Sequence, residues 1–356
     1  MIQFVGPLPP PVHGFSVINR AMLERFQAAG PVQVFDRAPR PGPLPLRAAA
    51  VLGRWLRFVV ALLGSPRGSG VYLGLSGGRG QLEDALYLAA ARLLGRPVCV
   101  HHHSFAYLRA PAWHSRLALG LARHARHVAL CPCMAEQLAA AYGIARARVA
   151  VLSNAAFLPE PAPRAPAAAS AAGLHLGFLS NITTDKGIWA FFELGDALRE
   201  RGVALRASVA GPVAADIAGR FAETLAARPW CRHLGPVYGE AKQAFFADID
   251  LLVFPTFYAN EAEPVTVLEA LSAGVPVLAN ARGCLAEMVP PAAGAVLEGD
   301  ARFVALAGEC VTAWLAEGQA AWESRRRAAQ ATFAERRAQN VQRLEGLVGE
   351  LCGVPA

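Results

Sequence analysis

Short apolar runs alternate with longer amphipathic ones along almost the whole chain, and this alternation narrows the fold more than any other feature. Met1–Val5, Val32–Phe35, Val71–Ser76, Val98–His102, His127–Leu130 and Val149–Leu152 read as strands. Ser16–Ala29, Gln81–Leu94, Leu117–Arg126 and Met134–Tyr142 read as the helices between them. Strands separated by helices pair in parallel, because only a long crossover returns the chain to the same edge. At Glu160–Gly173 the alternation stops in a Pro-, Ala- and Ser-rich stretch, EPAPRAPAAASAAG, with the composition of a linker. It then restarts with strands at Leu174–Leu179, Leu205–Ala210, Cys231–Leu234, Leu251–Phe254 and Val275–Ala279. The helices of this second half are Gly187–Arg199, Ala214–Ala227, Gly239–Ala247 and Val265–Ala273, and Gln319–Leu351 is a polar, charged helix.

At 356 residues the chain is too long for one ordinary core. The expected organisation is two Rossmann-like α/β domains, 1–157 and 174–330, joined by a linker over 158–173. A closing helix over 331–356 is expected to pack back towards the first domain. Two doubly wound sheets facing one another form a cleft at the carboxyl ends of their strands, where open α/β sheets bind ligands.

No apolar run is long enough to span a bilayer; the best, Ala48–Gly64, is interrupted by Arg54 and Arg57. The N-terminus has no basic region followed by an apolar run, so no signal peptide is expected and a cytoplasmic location is. The seven cysteines are scattered without a CxxC pair, so no metal framework is expected from them. The net charge of +7 is unevenly spread. Residues 1–156 carry 17 arginines and no lysine against five carboxylates, and the remainder 17 cations against 22 carboxylates. A basic half beside an acidic half points to an anionic partner for the first domain. Within that half, Arg47–Arg67 is apolar with basic punctuation: either a helix lying on an anionic membrane surface, or a core helix with arginines at its edge.

The densest chemical signal is NEAEPVTVLEALSAGVPVLAN, Asn260–Asn280. Glu261 lies in the loop after a strand. Glu269, eight positions on, lies about one turn into a helix that begins near Pro264 and Val265. The amides of such a helix start suit a diphosphate. A carboxylate one turn in can reach a ribose diol, and one in the loop before it can reach sugar hydroxyls. This segment resembles the E-x7-E signature of retaining glycosyltransferases of family 4, usually written EGFGLPVLEAMACGTPVVA. The resemblance implies a GT-B fold, with Glu261 contacting donor-sugar hydroxyls and Glu269 the ribose. Where the family has Gly-Phe-Gly, this chain has Ala262-Glu263-Pro264, which adds a carboxylate beside the expected diphosphate.

A second signal is GFLSNITTDKG, Gly177–Gly187, at the first turn of the second domain. Lys186 is one of only two lysines beside 32 arginines, which points to a required compact ammonium. The family pattern there, GRL…KG, is matched at Lys186 and not at its arginine, whose stretch holds Leu179, Ser180 and Asn181. The loop GPLPPPVHG, Gly6–Gly14, resembles the family's N-terminal glycine-rich loop, with Gly14 as the glycine of close approach. His101-His102-His103 ends a strand. Consecutive residues alternate faces, so at most two share a direction, and a metal site would need further ligands. The family has a histidine near the donor's anomeric carbon, which His103 fits best and His101 second. Looser correspondences place Val237 beside the nucleotide base and Thr256 in the cleft wall, with Asn154 and Gly211 at further strand ends.

The resemblance implies transfer of a sugar from a UDP- or GDP-sugar to a glycan or lipid-linked acceptor in bacterial surface-polysaccharide or lipopolysaccharide synthesis. No metal or other cofactor is expected; Asp248-Ile249-Asp250 has the spacing of a DxD metal motif but opens a buried strand. Two other classes fit a two-domain α/β chain. One is a GT-B sugar-nucleotide epimerase, which needs more acid/base carboxylates; the other is a non-catalytic small-molecule binding protein. Nucleic acid is not an expected partner, because the basic half lacks interleaved stacking aromatics.

Overall fold

A computed structural model describes residues 1–10, 14–38, 42–161 and 173–353. The chain forms two compact units, residues 1–157 with 338–356, and residues 158–337. The segment read as a linker, 158–173, lies mostly outside the described residues.

The first unit runs β1 (Ile2–Gly6), α1 (Gly14–Ala29), β2 (Val32–Asp36), α2 (Leu44–Gly64), β3 (Gly70–Gly74), α3 (Gly80–Leu93), β4 (Val98–His101), α4 (Ala106–Arg109), α5 (Trp113–Leu121), β5 (Arg126–Ala129), α6 (Pro132–Tyr142) and β6 (Val149–Val151). Its six strands are parallel, in the order β2-β1-β3-β4-β5-β6. β1 and β3 are buried at every position, as central strands covered on both faces must be. One face is filled by Met22, Leu23 and Phe26 of α1, spaced so as to lie on one side of the helix, around Phe4 and Tyr72. On the other, Phe58 of α2 sits edge-on between Phe35 and Tyr87, 5.2 and 4.9 Å from their ring centroids.

The second unit runs β7 (Leu174–Leu179), α7 (Ile188–Glu200), β8 (Leu205–Ala210), α8 (Ala218–Ala226), β9 (Cys231–His233), α9 (Gly239–Asp248), β10 (Leu251–Phe254), α10 (Val265–Ser272), β11 (Val277–Asn280), α11 (Leu285–Met288), β12 (Gly294–Leu297), α12 (Phe303–Ala316) and α13 (Gln319–Cys352). Its six strands are also parallel, in the order β12-β11-β10-β7-β8-β9. The core gathers Phe178, Phe191, Phe192 and Phe221 with Phe303 and Trp314 of α12. β12 and α12 complete the sheet edge and its cover; the sequence pattern had left residues 294–316 unassigned.

The closing helix spans Gln319–Cys352, as its sequence pattern over Gln319–Leu351 expects, and the division between the units falls within it at 337/338 rather than at the expected 331. α13 runs unbroken from Gln319, just after Gly318, because it contains no proline and only two glycines, Gly346 and Gly349, both near its end. Its residues to Arg337 belong to the second unit; from Ala338 they belong to the first, where Leu344, Leu347 and Val348 pack with Ile2, Phe4 and Tyr72.

In each sheet the strand order reverses beside the first strand, between β1 and β3 and between β7 and β10. The loops leaving the carboxyl ends there diverge and leave a crevice, the usual ligand position of doubly wound sheets.

Candidate functional site

In the second unit the loops after β7 and β10 are tied together. Phe257 N–H donates to Asp185 O at 2.8 Å. Gly187, at φ 85°, lies so close to Pro255 that a Cβ there would fall 2.1 Å from the Pro255 carbonyl oxygen. This contact fixes Lys186, the residue before it. Its ammonium donates to Glu261 Oε2 at 2.5 Å and stands 4.6 Å from the centroid of the Tyr258 ring. The buried Thr256 hydroxyl donates to the same Glu261 oxygen at 3.3 Å, and its carbonyl accepts from Asn280 Nδ2 at 3.1 Å. The Glu261 backbone is held from behind: a Cβ on Gly283, φ 49°, would lie 2.2 Å from the Glu261 carbonyl oxygen, and Cys284 N–H donates to Ala262 O at 2.9 Å.

Lys186 has three ammonium donors, and the carboxylate uses one. Its side chain is 20% exposed and that of Glu261 11%, so the pair is largely desolvated yet reachable. An ammonium on a carboxylate with donors to spare can hold a phosphate oxygen on one side and order a sugar-binding carboxylate on the other.

Eight residues on, Glu269 of α10 pairs with Lys242 of α9. Burial pushes the Glu269 carboxyl above its ordinary range, and the Lys242 ammonium opposes that shift. The chain's only two lysines therefore each meet one of the two spaced glutamates. Sequence reasoning found Lys186 and missed Lys242. The signal was there in the scarcity of lysine, but nothing in the linear pattern places α9 beside α10. Tyr258 was missed as well, and carried no signal.

Pro264 caps α10 in an extended conformation. No side chain caps the helix and its first turn holds no acid, so Val265 begins an anion-compatible end. The additional carboxylate, Glu263, has no solvent exposure on its side chain and lies 3.9 Å from Arg336 of α13. It therefore adds no exposed negative charge to the loop. Asn181 is exposed after β7, Val237 is half-buried in the loop between β9 and α9, and Gly211 packs on Ser180. Asn181 and Val237 are the positions expected to bind the donor and Gly211 a looser correspondence; all three follow the carboxyl ends of β7, β9 or β8, on the same sheet edge as Lys186, Thr256 and Glu261. Asp248 and Asp250 are engaged elsewhere, Asp248 with Arg206 and Arg232 and Asp250 with Arg326 and the His175 amide. Among the described residues no group of three or more His, Cys, Asp or Glu is placed to hold a metal ion.

In the first unit the three histidines separate by role. His102 is structural: Nδ1 bonds the Tyr107 hydroxyl and Nε2 bonds His127 Nδ1, both at 2.9 Å, and His127 passes on to Ala122 O at 3.0 Å. His101 bonds the Tyr72 hydroxyl at 2.7 Å and lies tilted against His103, ring centroids 4.1 Å apart, and His103 also meets the Phe15 ring at 4.6 Å. The Nε2 atoms of His101 and His103 are buried without a hydrogen-bond partner among the described residues. Desolvation holds all three rings neutral, with His101 pushed down to about 3 and His103 well below its ordinary value. Gly14 is the first residue of α1, and a Cβ there would meet no atom of the described residues within 4 Å. Asn154 is buried after β6.

Two Rossmann-like units, each with a parallel sheet and loops at its carboxyl edge, define the GT-B class of α/β proteins. Residues 173–313 match the family model described as glycosyl transferases group 1. By fold, the chain is similar to HepE of Anabaena in complex with UDP, at TM-score 0.71 and 16% identity over 98% of this chain and 100% of that one. It is likewise similar to the lipopolysaccharide outer core galactosyltransferase WaaB, at TM-score 0.68 and 14% identity over 98% of each chain. A glycosyltransferase from Rickettsia africae matches at TM-score 0.67 and 12% identity over 98% of this chain and 97% of that one. By sequence, no curated protein matches the chain.

Proposed function

We propose that the chain is a retaining, metal-independent glycosyltransferase of the family 4 type, moving a sugar from a nucleotide diphosphate to a glycan or lipid-linked acceptor. The observation that carries this reading is the pairing of Glu261 with Lys186 and of Glu269 with Lys242 at one sheet edge. That arrangement offers carboxylates for sugar and ribose hydroxyls and ammonium groups for the charge around them. In the proposed reaction the bond from the anomeric carbon to the diphosphate oxygen breaks, with Lys186 and the amides starting α10 stabilising the leaving charge. The acceptor oxygen bonds the same face of that carbon and gives its proton to the departing phosphate. The neutral His103, whose Nε2 has no partner among the described residues, is proposed to hydrogen-bond the sugar without repelling a positive ring.

The donor is proposed to be a UDP- or GDP-sugar. A bound uridine diphosphate in the similar HepE structure and the lipopolysaccharide role in WaaB's description support a uridine donor and a cell-surface pathway. A cytoplasmic enzyme meeting an anionic membrane surface through its basic first unit fits a lipid-linked acceptor. An epimerase needs further acid/base carboxylates, and Asp248 and Asp250 do not supply them: they precede β10, at the end away from Glu261, and are bound to arginines.

The test is a thermal-shift titration with UDP, GDP, ADP and their sugar conjugates, with and without EDTA. A ligand at a hundred times its Kd stabilises the folded state by about 2.7 kcal/mol. The expected result is a shift for one nucleotide that survives EDTA and shrinks in Glu269→Ala and Lys186→Ala. No shift with any nucleotide would sink the transferase reading, and an EDTA-sensitive one the metal independence. NMR of the product's anomeric configuration tests retention.

A further inference from the structure

α2 turns its apolar side outward. Over its length only Phe58 and Leu62 are buried. Leu52, Leu56, Val60 and Leu63, spaced four, four and three residues apart and hence on one helix face, are 55, 50, 68 and 65% exposed. A helix that served only to cover the sheet would turn these apolar residues inward beside Phe58 and Leu62. The neighbouring helices extend the face: α2 packs on α3 and α3 on α5, with Leu86 and Leu93 of α3 and Trp113 and Leu117 of α5 also exposed.

The charge around this face has one sign. Between Asp36 and Glu83 the chain has no acidic residue. Residues 37–123 contain twelve arginines and only two carboxylates, Glu83 and Asp84. Both carboxylates are held by Arg37, and Glu83 also by Arg54. Arg47, Arg57, Arg67, Arg92 and Arg116 are exposed and pair with no carboxylate among the described residues.

We infer that the outward face of α2, with the exposed residues of α3 and α5 beside it, is a docking surface for an anionic lipid bilayer. Leucines facing water with unpaired arginines around them need a partner that is apolar within and negative at its surface. A second copy would bring the same positive charge against itself, and a nucleic acid offers no medium for the leucines. No described helix is long and apolar enough to cross a membrane, so α2 lies in the interface rather than spanning it. The surface stands on the first unit alone; its purpose as the approach to a lipid-linked acceptor rests on the transferase reading above.

The test is flotation of the full chain with phosphatidylcholine vesicles and with equimolar phosphatidylcholine and phosphatidylglycerol vesicles. The protein is expected to float with the anionic vesicles only, and less at high salt. The double variant Leu56→Glu, Val60→Glu should lose about a hundredfold or more in vesicle partitioning while keeping its melting temperature and nucleotide shift. Failure of the natural chain to bind anionic vesicles, equal binding to both compositions, or unchanged binding by the variant would overturn the inference. So would light scattering that shows a dimer which the variant splits, assigning the face to a second copy. Loss of vesicle binding with the nucleotide shift intact sinks only this surface; loss of the nucleotide shift with vesicle binding intact sinks only the transferase reading.

Discussion

Each of the chain's two lysines ends on one of the two spaced glutamates, and the consequence differs at each. Lys186 faces Glu261 beside Tyr258, at the position proposed for the reacting bond. Glu261→Gln keeps the size and loses the charge, so turnover is expected to fall roughly a hundredfold while nucleotide affinity changes little. Steady-state kinetics set against nucleotide titration separates the two. Lys242 acts through Glu269. A ribose diol is accepted by the carboxylate and not by the neutral acid, so affinity falls as the pH drops through the Glu269 pKa. That value is already raised by burial, with Lys242 holding it down. Lys242→Met should raise it further, so the loss of nucleotide affinity begins at a higher pH and recovers under alkaline conditions. Lys242→Arg should restore the natural profile. Isothermal titration across pH reads the shift, and a pH-independent loss would make Lys242 merely structural.

At the scale of elements, two backbone contacts place the side chains. The turn from β7 into α7 passes Pro255 at Gly187, and the turn after β11 passes Glu261 at Gly283. Gly187→Ala forces a left-handed alanine against a carbonyl, and is expected to cost about 2 kcal/mol or more in urea denaturation. Because Lys186 precedes that glycine, the nucleotide shift should weaken with it, an outcome that a core substitution of equal cost would not produce. α2 shows the opposite economy of packing. Its sequence allowed a core helix or a surface one, and only the exposure of Leu52, Leu56, Val60 and Leu63 distinguishes them.

Over the whole molecule, buried neutral histidines are concentrated in the first unit. His101, His102, His103 and His127 are all depressed by desolvation, His127 to about 4. In the second unit His175 is depressed for the same reason. Above the ordinary histidine value of about 6.5, folded and unfolded chains are equally neutral there. Below it the unfolded chain takes up protons that the folded one refuses. Stability is therefore full above that value and is lost as the pH falls towards each folded pKa, by on the order of 1.4 kcal/mol per pH unit per histidine. Urea midpoints are expected to drop between about pH 6.5 and 5, before most carboxylates titrate. His102→Gln should flatten that slope, and an unchanged slope would refute the assignment.

The sequence by itself determined the two parallel α/β units, because the period of apolar residues records which faces each element buries, and that is a local property of the chain. It also singled out Glu261 and Glu269, since fixed spacing across one strand–loop–helix turn converts directly into placement, and Lys186 through the scarcity of lysine. Tertiary structure alone decided which cation meets which carboxylate. Lys242 reaches Glu269 across a separation of 27 residues, through the packing of two helices that no periodicity encodes. It also turned Glu263 inward against Arg336 and gave His102 to a structural chain, while His101 and His103 each keep a nitrogen with no partner among the described residues. Neighbours in sequence were parted in these cases because side-chain direction is settled by what packs on each face, and those partners come from distant parts of the chain.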